Sequence, residues 1–218
     1  QSSSVALPST AAAGPDQTGA ATCGLTQVTL AANTPAVGTG MWSIQSGVGG
    51  SFVDATSPTT NFSGTAGTAY VLRWTISNSP CTASFDEVNV TFNQNPTVAD
   101  AGNNQTVCLI SPAAITGNTP TVGTGVWSVV SGPSLSNSQF GNPNLASVFF
   151  TPAGGAGAYV LRWTISNPPC APSMDDITIT VVPSPTVASA GSPQTICEGA
   201  SATLAGNTPL VGTGTWSV

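Results

Sequence analysis

Five cysteines carry most of the reactive potential of this 218-residue chain, which contains no His and no Lys. Their spacing suggests cross-linking. Cys23 and Cys81 fall within one copy of an internal repeat, Cys108 and Cys170 within the next, and Cys197 opens a third. This predicts two intra-repeat disulfides, Cys23 with Cys81 and Cys108 with Cys170, with Cys197 left unpaired in this chain. Each bridge would close a loop of about 60 residues and contribute roughly 3 to 4 kcal/mol by restricting the unfolded chain. Such bridges imply an oxidising compartment outside the cytoplasm. The alternative is a set of reduced, buried thiols. Metal ligation fits less well, because neither a Cys-x-x-Cys spacing nor a His is available.

Other chemistry is sparse. The two basic side chains, Arg73 and Arg162, occupy the same repeat position, and Asp86 and Asp175 follow each by thirteen residues. Structural ion pairs across a hairpin, Arg73 with Asp86 and Arg162 with Asp175, are the expectation, ahead of a binding role. The adjacent acids Asp86 and Glu87, or Asp175 and Asp176, cannot flank one scissile bond, since neighbours on a strand point to opposite faces. Absence of His and Lys removes Ser-His-Asp, Cys-His and Schiff-base catalysis. The Val-Gly-Thr-Gly stretch at 37–40 lacks the Gly-Lys-Ser/Thr ending of a phosphate loop and reads as a turn. Neither catalytic residues nor cofactors are expected.

The elements that must position these residues are strands. In Tyr70, Leu72, Trp74 and Ile76 the large residues sit two apart, the period of a strand with one buried face. Val88, Val90 and Phe92 repeat that pattern, as do Ile177, Ile179 and Val181. Trp42, Trp74, Trp127 and Trp163 occupy strand positions among small polar residues and are expected in the core, although a tryptophan can also stack on a sugar.

The segment at 69–78 returns unchanged at 158–167, which makes the chain a tandem array. Ala-Gly-x-x-Gln-Thr opens the units at Ala13, Ala101 and Ala190, and Asn-Thr-Pro-x-Val-Gly-Thr-Gly-x-Trp-Ser follows from Asn33, Asn118 and Asn207. Proline-bearing joints separate the copies. The expected organisation is a linker or the end of a preceding module at 1–12, repeats at 13–98 and 99–187, and the incomplete start of a third at 188–218. Six or seven short strands in about 85 residues have the size of an immunoglobulin-like sandwich. The fold class is therefore all-β, a tandem of such modules, with short stiff joints favouring an elongated array.

Charged residues make up only 5% of the chain and the net charge is −6, so the basic patch that nucleic acid or an anionic membrane would need is missing. No apolar run is long enough to span a membrane. The order of motifs, completed by Leu-Arg-Trp-Thr-Ile-Ser-Asn-x-Pro-Cys, resembles the tandem PKD-like, immunoglobulin-type repeats of very large surface proteins in Bacteroidota. These include gliding-motility adhesins exported by type IX secretion. That resemblance implies an extracellular, filamentous adhesin at the cell surface. Expected partners are further copies of the repeat, in the same or a neighbouring chain, and surface polysaccharide or the secretion and motility machinery. Two alternatives stay open: a carbohydrate-binding module with an exposed Trp or Tyr platform, and a filament subunit in which a neighbour completes the third repeat by strand addition.

Overall fold

The computed structural model describes residues 4–218. Among them, regular structure consists of twelve strands and two short 3-10 turns, with no α-helix. This is what a chain rich in Thr, Ser, Asn, Gly and Pro and poor in straight-chain polar residues should give.

Strands of the first repeat are β1 (Gln27–Thr29), β2 (Thr39–Ser46), β3 (Ser51–Phe52), β4 (Asn61–Ser63), β5 (Ala69–Ser77) and β6 (Ser84–Thr91). They form two antiparallel sheets, ordered β1-β4-β3 and β2-β5-β6. The period-two pattern of β5 is realised directly: Tyr70, Leu72, Trp74 and Ile76 are at most 1% exposed, while Val71, Arg73 and Thr75 between them are half-buried. Leu30, Trp42, Phe62, Val88, Val90 and Phe92 complete the core between the sheets. A segment ahead of β1 runs parallel to β6, with Gln17 opposite Val90 and Cys23 opposite Asn93.

The second repeat contributes β7 (Gln105–Cys108), β8 (Ala113–Thr116), β9 (Thr124–Ser131), β10 (Ser147–Phe150), β11 (Gly157–Ser166) and β12 (Ser173–Val182). One sheet is ordered β7-β12-β11-β9 and the other pairs β10 with β8. Strand β7 lies parallel to β12, as the Gln17 segment lies along β6. A 3-10 turn, Asn137–Gln139, and the Phe140–Phe150 bridge stand where the first repeat has β3. Trp127, Phe150, Tyr159, Leu161, Trp163 and Ile179 are at most 1% exposed.

Two compact units result. The first contains residues up to Ala99 together with Pro120–Gly125 and Thr164–Met174; the second contains Asp100–Thr119, Val126–Trp163 and Asp175–Val218. The hairpin tip of the second repeat, which carries Cys170, thus belongs with the first unit. Residues 186–218 contain no regular strand, and Leu204 and Trp216 there are exposed. Among the described residues no helix is long and apolar enough to cross a membrane.

Candidate functional site

A recurring set of Ser/Thr, Asn and Gln side chains lies at the joints, where each has a backbone partner. A Ser or Thr on the linker is the first of them. Ser9 Oγ accepts the amides of Ala36 and Val37, Thr97 Oγ1 those of Thr121 and Val122, and Thr186 Oγ1 those of Leu210 and Val211. The backbone closes the same link in reverse, because the amides of Ser9, Thr97 and Thr186 donate to the carbonyls of Val37, Val122 and Val211. Asn of the Asn-Thr-Pro turn grips the linker a few residues on. Asn33 Oδ1 accepts from the Ala12 amide at 2.8 Å, Asn118 Oδ1 from Asp100 at 2.9 Å and Asn207 Oδ1 from Ser189 at 2.7 Å.

The Ala-Gly-x-x-Gln-Thr motif serves the same joint. Gln17, Gln105 and Gln194 donate through Nε2 to the carbonyls of Thr29, Ala114 and Thr203. Gly14, Gly102 and Gly191 have φ of 90, 83 and 85°, and a Cβ on them would sit 2.6, 2.8 and 2.7 Å from the carbonyl oxygens of Ala31, Thr116 and Ala205. Glycine is required twice over there, by left-handed backbone and by lack of space. The role of these Asn, Gln and Ser/Thr residues escaped the sequence reading, although their recurrence at fixed offsets marked them.

The cysteines depart from expectation. Cys23 is bonded to Cys170, with Cα atoms 5.6 Å apart and a sequence separation of 147, while Cys81, Cys108 and Cys197 are free thiols. The expected pairs Cys23 with Cys81 and Cys108 with Cys170 are therefore not formed. Strand geometry explains why. Cys81 lies in the turn before β6, whereas Cys23 lies beside Asn93 beyond the far end of that strand. Eight residues of extended chain put roughly 25 Å between them, against a Cα separation of at most about 7 Å for a disulfide. Cys108, opposite Val182, is separated from Cys170 by the ten residues of β12 in the same way.

The ion pairs are shifted by one residue. Arg73 meets Glu87 at 2.6 Å and Arg162 meets Asp176 at 2.7 Å, rather than Asp86 and Asp175. In the β5–β6 register Arg73 stands opposite Glu87, while Asp86 stands opposite buried Trp74 and belongs to the other face. Asp86 Oδ2 instead accepts the Ala13 amide at 2.7 Å, and Asp175 Oδ2 the Ala101 amide at 2.8 Å. The acids first assigned to Arg thus anchor the segment that enters each repeat. Hydrogen bonds from Arg162 hold the Asp176 carboxyl below its ordinary value, and the same pairing raises Arg162.

Trp42, Trp74, Trp127 and Trp163 are at most 2% exposed, and Tyr70 and Tyr159 are buried as well, so neither complete repeat offers a Trp or Tyr platform. Phe85 is exposed, but the Arg73 guanidinium lies over its ring, 4.2 Å from the centroid. Among the described residues no group of three or more His, Cys, Asp or Glu could hold a metal ion.

No protein-family model matches the chain, and no curated protein matches it. Solved structures do. Sidekick-1 immunoglobulin domains 1–5 are similar at 12% identity over 85% of this chain and 40% of that one, with a TM-score of 0.52. Drosophila OTK extracellular domains 3–5 are similar at 12% identity over 79% and 60%, with a TM-score of 0.50. The fold is immunoglobulin-like. With sheets ordered β1-β4-β3 and β2-β5-β6, the first repeat matches the two-sheet plan of that sandwich, and the parallel segment along β6 extends the second sheet. The chain spans 40% of the first of these structures and 60% of the second.

Proposed function

We propose that this chain is a spacer segment of an extracellular adhesin, in which repeats 13–98, 99–187 and the one beginning at 188 form part of a stalk or filament. One observation carries the reading. The Asn of each Asn-Thr-Pro turn and the Thr of each linker after the first repeat are committed to backbone groups of the joint, so this recurring chemistry goes into fixing each linker to the module it enters. A recurring binding or catalytic surface would instead leave repeated polar groups unpartnered at one place on the fold. The role is non-enzymatic, and its partners are further copies of the repeat in the same or a neighbouring chain. Export to an oxidising compartment agrees with the Cys23–Cys170 bridge.

The finer reading is a gliding-motility adhesin exported by type IX secretion, with surface polysaccharide or the motility machinery as partner. Its support is the motif order. Electron microscopy of native material, together with the mass of the polypeptide in it, tests the stalk. A thin beaded string built from a polypeptide far larger than 21.5 kDa is the expected result. Ordered filaments assembled from 21.5 kDa chains would replace it with strand exchange between subunits.

A further inference from the structure

We propose that the Cys23–Cys170 bridge is one rung of a disulfide ladder, in which the early cysteine of each repeat bonds the hairpin cysteine of the next. Cys108 is then the bonding site for the hairpin of the third repeat, and Cys81 the bonding site for the early cysteine of a repeat ahead of residue 1. The inference rests on the tandem stalk reading for its flanking repeats, but its geometry comes from the joint itself.

The occupied rung has two halves. On one side Cys23 lies opposite Asn93, and the Gly24 amide donates to the Asn93 carbonyl at 2.8 Å. On the other, Asn167 Nδ2 donates to the Gln94 carbonyl at 2.8 Å, and the Cys170 amide closes the turn onto the Asn167 carbonyl at 3.0 Å. The bridge joins these two halves.

Each free thiol sits in one of those halves. Cys108 lies opposite Val182, the repeat equivalent of Asn93, and the Leu109 amide donates to the Val182 carbonyl at 2.9 Å. Its side is exposed and ready for a hairpin. Cys81 occupies the complementary half: Asn78 Nδ2 donates to the Ala6 carbonyl at 2.7 Å, and the Cys81 amide donates to the Asn78 carbonyl at 2.9 Å. Cys81 Sγ lies 3.6 Å from the carbonyl oxygen of Val5 and 3.5 Å from that of Ala6. Val5 and Ala6 are the equivalents of Asn93 and Gln94, so Cys81 faces the position where a preceding early cysteine would lie.

The first repeat also keeps this geometry despite an insertion. It has three more residues than the second between the motif glutamine and the cysteine. The 3-10 turn Gly19–Thr22 takes them up, so that Gln17 and Cys23 oppose Val90 and Asn93 as Gln105 and Cys108 oppose Ile179 and Val182.

Chemically, each rung forms when two thiols lose two protons and two electrons to an oxidised dithiol carrier. One S–S bond forms between the cysteines, and the carrier's S–S bond becomes two thiols.

Peptide mapping without reduction, after thiol trapping, tests the ladder on two chains. The full 218-residue chain is expected to show Cys23 linked to Cys170, with Cys81, Cys108 and Cys197 trapped as thiols. The second chain carries an extra copy of residues 130–187 after Val218, which continues the third repeat through its hairpin. There Cys108 is expected to be linked to the appended copy of Cys170, with the original Cys23–Cys170 link reporting that the array has folded. Trapped Cys108 beside an intact Cys23–Cys170 link, or any link within one repeat, overturns the proposal. If the longer chain misfolds, native material decides: Cys81 linked to a peptide from outside residues 1–218 supports the ladder, and Cys81 found as a thiol or linked to Cys23 sinks it. The bond map bears on the ladder alone, whereas the beaded-string images bear on the stalk.

Discussion

Two neighbouring acids divide the work at the start of each last strand. Glu87 makes a half-exposed pair with Arg73, which also covers Phe85, while Asp86 accepts the amide of Ala13, a residue 1% exposed. Removing a surface ion pair costs little, whereas stranding a buried amide costs about 1–3 kcal/mol. Chemical denaturation should therefore find Asp86→Ala destabilising by about 1–3 kcal/mol and Glu87→Ala by less than about 1 kcal/mol. Equal effects would mean the Asp86 contact is not structural. Acid stability follows from the carboxyls that hydrogen bonding lowers: Asp16 through Asn89, Asp54 through Thr56 and Asp176 through Arg162. A depressed folded-state value stabilises above the ordinary value of 3.8 and is lost as pH falls through the lower folded value. With no His to titrate, thermal unfolding scans should be flat between about pH 5 and 8 and decline below about pH 4.

At the scale of the element, the joint depends on a glycine, a glutamine and an asparagine that hold the incoming segment against the body of the repeat. Gly102→Ala should destabilise by about 1–3 kcal/mol, because it adds left-handed strain and a clash with the Thr116 carbonyl. The same substitution at Gly155, where φ is also positive but nothing lies within 4 Å, isolates the backbone strain and should cost less. Thermal midpoints of the two variants make the comparison. The strands themselves were legible from period-two alternation at 70–76 and 177–181. The acid partners were not, because a spacing of thirteen residues leaves the hairpin register open by one, and one residue reverses the face.

For the whole molecule, the bridge puts a covalent shortcut across 147 residues. Its chain-entropy contribution is about 5 kcal/mol at that loop length, with measured effects commonly about 2–4 kcal/mol. Cys23→Ser and Cys170→Ser should each lower stability by about 2–4 kcal/mol, while Cys81→Ser in the 218-residue chain changes it by less than about 0.5 kcal/mol. Pulling on the chain ends gives a second measurement. Reduction should release roughly 500 Å of additional contour length, the extended span of the residues behind the bridge. Release of that length without reductant would show that the bridge does not carry the tension.

By itself the sequence determined the repeat, the all-β class, the buried tryptophans and the absence of the side chains that most catalysis requires. These properties depend on local periodicity and composition, which a linear string preserves. Only the tertiary structure decided which cysteine meets which and which acid meets each arginine. Cys23 and Cys81 are closer in sequence than Cys23 and Cys170, yet a strand separates them in space, and the hairpin of the following repeat returns to Cys23. Pairing is set by where strands end and where the next hairpin turns, and no count of residues along the chain carries that information.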